Sequence, residues 1–182
     1  YVLSNAREGT RSEQMRELVP DILSSYTVNI AYHANNPGVG MALEKDTGRY
    51  KLFTSDVGLF VALAFKDKKY TENVIYNKLL SDKLEANLGY VYECVVAQML
   101  IAKGNNLFYY TMQSDTSNHL YEIDFLTSTG DKINPIEVKS GNYRGHKSLD
   151  VFCDKFNPRI KDKYVVHAKD YKWENSIHYL PV

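Results

Sequence analysis

A chain of 182 residues carrying 22 Lys/Arg and 22 Asp/Glu has no net charge, which excludes a protein that binds nucleic acid through its overall charge alone. Its 44% hydrophobic and 24% charged residues fit one globular domain, or one domain with a small appendage. No run reaches the roughly 18 apolar residues of a membrane-spanning helix, and the N-terminal stretch lacks the apolar core of a secretory signal.

In chain order, Met15, Leu18, Val19, Ile22 and Leu23 follow a helical period within Ser12–Tyr26, with Ser12 as a possible cap and Pro20 as a kink or break. Val28–Tyr32 reads as a strand, and His33–Gly38 as a loop. Asp46-Thr47-Gly48 is a turn signal before a short strand, Tyr50–Phe53. Ser55-Asp56 can cap a helix over Val57–Phe65, which is apolar nearly all round and is therefore expected to be buried. A charged loop, Lys66–Tyr70, comes next. A long helix is expected over Leu79–Lys103, its apolar face including Leu84, Leu88, Val91, Val95, Leu100 and Ile101, with Gly104 closing it. Phe108–Met112 is a strand, and Gln113–Asn118 a polar loop.

The stretch Leu120–Gly141, LYEIDFLTSTGDKINPIEVKSG, reads as a β-hairpin turning at Ser128-Thr129-Gly130-Asp131. Alternation puts Glu122 and Asp124 on one face of its first strand, with Ile123 and Phe125 on the other. Glu137 and Lys139 share a face of the second strand, opposite Ile136 and Val138. Pairing about the turn would bring Asp124, Glu137 and Lys139 together at one edge of the sheet. Two carboxylates with the Val138 carbonyl could hold Mg²⁺ or Mn²⁺, and Lys139 could orient water or offset developing negative charge. A cross-strand ion pair between Asp124 and Lys139 is the structural alternative.

After the hairpin, Ser148 can cap a short helix, LDVFCDKF, that stops before Pro158. Tyr164–Ala168 and Ile177–Leu180 then read as strands. Cys94 and Cys153 have no C-x-x-C spacing, so neither a zinc site nor a disulfide framework is expected, and a reducing cytoplasm is the default location. The five histidines show no ligand spacing, although His146 and Lys147 lie just after the hairpin and could meet a phosphate. Gly141–Ser148 is not a P-loop, because His146 stands where the second glycine belongs.

An Asp followed by Glu-x-Lys on the next strand, between two helices, resembles the PD-(D/E)XK nuclease superfamily. More closely, KLFTSDVGLF (Lys51–Phe60), YECVVAQML (Tyr92–Leu100), YEIDFL (Tyr121–Leu126) and IEVKSG (Ile136–Gly141) are similar to the C-terminal domain DUF4143 found behind the AAA-type ATPase module of many prokaryotic proteins. The resemblance implies an α/β fold with an αβββαβ core and a small N-terminal helical and strand extension. Residues 1–26 would be the remnant of a linker helix following an ATPase module outside this chain, and 27–182 the nuclease-like domain. In relatives a helical region separates those parts, so residues are expected to be missing between Tyr26 and Thr27.

The resemblance also implies Asp124 and Glu137 as Mg²⁺ or Mn²⁺ ligands, Lys139 as the catalytic cation and Glu93 as an accessory acid. ATP would bind only in the absent module. The pattern departs from the superfamily in having Ile123, not Pro, before Asp124. Two functions follow as expectations. One is metal-dependent hydrolysis of DNA or RNA. The other is a non-catalytic module coupling the ATPase to nucleic acid or protein, using the basic stretch from Lys139 to Lys172.

Overall fold

The computed structural model describes residues 19–65, 88–114 and 118–182. After a helical segment at 19–24 (α1) come β1 (Val28–Ala34), β2 (Lys45–Thr54), α2 (Val57–Phe65), α3 (Leu88–Ala102), β3 (Leu107–Gln113), β4 (Leu120–Thr129) and β5 (Lys132–Val138). Then follow α4 (Lys147–Phe156), a 3-10 turn (Asn157–Arg159), β6 (Lys163–His167), β7 (Lys172–Glu174) and β8 (Ile177–Pro181). The fold is mixed α/β, on one eight-stranded sheet ordered β2-β1-β3-β4-β5-β6-β8-β7. The β3-β4-β5 meander is antiparallel, and β5, β6 and β8 run parallel. No described helix is long and apolar enough to cross a membrane.

Local chemistry accounts for most element ends. Asp56 caps α2, its Oδ1 accepting the Leu59 N–H at 2.8 Å. Gly104, at φ +80°, closes α3: its N–H reaches the Ile101 carbonyl at 2.8 Å, and that of Asn105 the Leu100 carbonyl at 3.0 Å. The hairpin turns on Gly130-Asp131 alone, with Thr129 opposite Lys132, and Gly130 supplies the positive φ of 63°.

Several expectations are corrected. β2 begins at Lys45, and the expected Asp46–Gly48 turn is an irregularity within it, where the register jumps from Tyr32↔Tyr50 to His33↔Asp46. Helix α4 starts at Lys147 with His146, not Ser148, in the cap position. β7 was not anticipated. The core face of α3 runs through Val91, Cys94 and Ala97, while Val95 is only partly buried and Ile101 is exposed. α2 is not buried, for Leu59 is 42% and Leu63 52% exposed. The expected Ser12 cap, the Lys66–Tyr70 loop, the start of the helix from Leu79 and residues 115–117 of the polar loop lie outside the described residues.

Each face of the sheet carries its own apolar layer. On one, Phe53, Tyr109, Phe125, Ile136 and Val138 pack with Cys94 and Ala97 of α3. On the other, Tyr110, Ile123, Leu126, Ile133 and Val165 pack with Leu149, Phe152 and Cys153 of α4. Tyr90 donates to the Leu52 carbonyl and Gln98 to the Ser55 carbonyl, which ties α3 to β2 and the chain leading into α2.

Candidate functional site

The expected acidic residues all lie near the middle of the sheet, but a β-bulge decides where they point. Phe108 pairs with Leu126 while Tyr110 pairs with Ile123, so β4 uses one residue more than β3 over the same length. Alternation breaks at Asp124-Phe125, and Phe125 joins the α3 layer instead of facing the same way as Ile123. Asp124 also turns to the α3 side, where Glu122 of β4 and Glu93 of α3 lie near it.

Lys51, from β2, occupies the centre of these acids. Its Nζ is 2.5 Å from Glu122 Oε1 and 3.7 Å from Glu93 Oε2, and it lies 5.3 Å from the centre of the Tyr109 ring. Strand alternation explains its aim, since Lys51 and Phe53 share the face covered by α3. Burial acts most strongly on its ammonium and would lower its pKa, but Glu122, Asp124 and Glu93 together outweigh burial and raise it. Burial raises the Glu93 carboxyl, with Lys51 opposing and Glu122 adding to the rise.

The Asp124 carboxyl is pushed up to about 7, first by burial and then by the charge of Glu93; Lys51 and the Val138 N–H pull the other way. That N–H donates to Asp124 Oδ2 at 2.8 Å. The paired register of β4 and β5 stops at Phe125↔Ile136, so the Asp124 side chain takes a backbone donor that the ladder has left free.

Glu137 is elsewhere. Ile136 and Val138 belong to the α3 layer, so Glu137 faces α4, on the same side as Ile133 and Cys153. It is 4% exposed, with Oε1 2.6 Å from Lys139 Nζ, and among the described residues its Oε2 has no hydrogen-bond partner. The expected convergence of Asp124 with Glu137 and Lys139 is therefore corrected: Asp124 gathers with Glu93 and Glu122 around Lys51, and Glu137 pairs with Lys139 on the opposite face. Among the described residues no three His, Cys, Asp or Glu side chains are placed to hold a metal ion. Asp124 and Glu137, the two carboxylates expected as ligands of Mg²⁺ or Mn²⁺, face opposite sides of the sheet.

These four elements, from α3 through β5, fall in the C-terminal part of the chain. Residues 88–182, more than half of it, match the family model described as Domain of unknown function (DUF4143). The chain belongs to this family. No curated protein and no solved structure matches it. In this DUF4143 chain Glu93, Asp124, Glu137 and Lys139 lie within the matched part, whereas Lys51 lies before it.

Lys51 and Glu122 are the members of the cluster to which sequence reasoning gave no role, and Lys51 was passed over entirely. The available signal was a lysine alternating with Phe53 on a short apolar strand, since a charged residue facing a helix-covered layer needs partners. The histidines have structural partners. His146 Nδ1 lies 3.1 Å from both carboxylate oxygens of Asp150, and its Nε2 3.0 Å from the Tyr179 hydroxyl. His167 is buried, accepts the Lys169 N–H on Nδ1 at 2.8 Å and stacks on Tyr143 at 4.3 Å; burial, then Lys169, lowers its pKa. Lys147 lies over the Tyr121 ring, 5.7 Å from its centre.

Proposed function

We propose that this DUF4143 chain is a non-catalytic docking module, the C-terminal part of a prokaryotic AAA-type ATPase, coupling that ATPase to a protein partner. The observation that carries the reading is Lys51 seated among Glu93, Glu122 and Asp124. A metal-dependent phosphodiesterase needs anionic carboxylates with oxygens free for the ion. Here one Asp124 oxygen accepts the Val138 N–H and burial raises the carboxyl to about 7, while Lys51 supplies a positive charge among the acids. The cluster then acts as a pin joining β2, β4 and α3. Docking is supported by α2, whose Leu59 and Leu63 stand in solvent although the helix is apolar nearly all round.

A second reading, metal-dependent hydrolysis of DNA or RNA, is favoured by the order α3-β3-β4-β5-α4-β6, which agrees with the αβββαβ core of PD-(D/E)XK nucleases, and by the buried Glu137 oxygen that has no partner among the described residues. Calorimetric titration of Mn²⁺ into wild type and Asp124→Asn separates the two. The docking reading expects no saturable binding and no cleavage of DNA or RNA. Saturable binding that disappears in Asp124→Asn, accompanied by cleavage, would overturn it.

A further inference from the structure

β7 ends the sheet, and among the described residues nothing pairs with its outer edge. Such an edge presents free N–H and C=O groups to any strand that can match it. All three of its residues, Lys172-Trp173-Glu174, are exposed. Asn175 and Ser176, at φ 51° and 60°, form the tight turn that fixes it to β8. The register is Lys172↔Tyr179, Trp173↔His178 and Glu174↔Ile177.

That register builds an aromatic row. Tyr164 of β6 pairs with His178 of β8, and His178 with Trp173 of β7. The His178 ring lies 5.3 Å from that of Tyr164 and 6.2 Å from that of Trp173, at interplanar angles of 28° and 30°. Tyr171 flanks the row, 6.4 Å from His178. The row ends at Trp173, which is 66% exposed. On the other side of the sheet Lys172 and Glu174 lie 2.8 Å apart.

Lys-Trp-Glu is self-complementary. In an antiparallel pair centred on Trp173, each Lys172 stands opposite the Glu174 of the other strand, and Trp173 stands opposite itself. The aromatic row then continues from one copy into the next. The geometry points to β7 as the docking edge for a second copy of this chain, joining two eight-stranded sheets about a two-fold axis. The contact is isologous and closes on itself, so it limits growth to a dimer. The backbone edge would accept other extended peptides, but an unrelated one would not also present both opposite charges and an aromatic ring in this register. With so short a strand the contact falls below about 1,200 Å², and a weak dimer forming at roughly micromolar to submillimolar concentration follows.

Trp173 is the only tryptophan, so its fluorescence reports on this edge directly. The 182-residue chain would be followed from low micromolar to several hundred micromolar by sedimentation velocity and by Trp emission. The expected result is a shift from monomer to dimer with a blue shift over the same concentrations. Lys172→Glu alone and Glu174→Lys alone should each lose the dimer, because like charges then meet across the axis. An equimolar mixture of the two variants should regain it, as unlike charges meet at both positions although neither chain keeps its own Lys172–Glu174 pair. A chain that stays monomeric throughout, a dimer whose emission does not move, or a mixture that fails to recover would each overturn the proposal. So would emission that responds to an added oligonucleotide and not to protein concentration.

Discussion

At Asp124 the environment sets the charge. A carboxyl raised to about 7 keeps its proton in the folded state over a range where the unfolded chain has already released it. Its effect on stability is therefore most favourable below about pH 4 and is lost as pH rises towards 7. Asp124→Asn keeps an acceptor for the Val138 N–H and removes the ionisation. We expect it to stabilise the protein by on the order of 2 kcal/mol at pH 8, with the gain vanishing near pH 4, as read from urea unfolding at the two pH values. Lys51→Met should act in the opposite direction. It leaves Glu93, Glu122 and Asp124 without their cation, at a cost of about 2–3 kcal/mol at pH 8 that shrinks by pH 5 as the acids take up protons. Combining the two substitutions should cost less than their separate effects imply, because the residues share one cluster. Additive effects would remove Lys51 from its assigned role as the pin.

The legibility of the sequence differed by element. Strands carrying Val, Ile, Phe and Tyr, the Asp56 cap and the Gly104 closure could be read, because each rests on a local rule of spacing or backbone conformation. The bulge at Asp124-Phe125 could not, since it depends on the registers of β3 and β4 against each other, and with it went the assignment of Asp124 and Glu137 to one face. β7 was missed because three residues joined by an Asn-Ser turn carry almost no periodic signal. Helix α2 failed differently. Its sequence, VGLFVALAF, reads as buried on every side, yet only part of it packs: Phe60 lies 5.0 Å from the Tyr90 ring, while Leu59 and Leu63 face solvent. A docking face predicts a clear split along this one helix. Leu59→Glu with Leu63→Glu should change stability by no more than about 0.5 kcal/mol per site, whereas Phe60→Ala should cost about 2 kcal/mol or more. Denaturant midpoints measure both, and a large loss from the Leu pair would mean that this face belongs to the fold rather than to a partner.

On the scale of the whole molecule, the same bulge makes one strand serve two cores. Ile123 and Leu126 of β4 belong to the α4 layer and Phe125 to the α3 layer, so neither layer can lose β4 without the other. Each layer also holds one buried free thiol, Cys94 on the inner face of α3 and Cys153 on that of α4. Burial raises both thiol pKa values, that of Cys153 to about 11, so neither is a ready thiolate in the native state at pH 8. Alkylation should therefore wait for opening, and the two cysteines report separately on the two faces of the sheet. If the shared strand couples the layers, Cys94 and Cys153 should be labelled at opening free energies that agree with each other and with global unfolding across a urea series followed by mass spectrometry. Earlier labelling of Cys153 alone would show the α4 layer opening over an intact α3 layer. The sheet would then be two stability units, and the pin at Lys51 would guard only one of them.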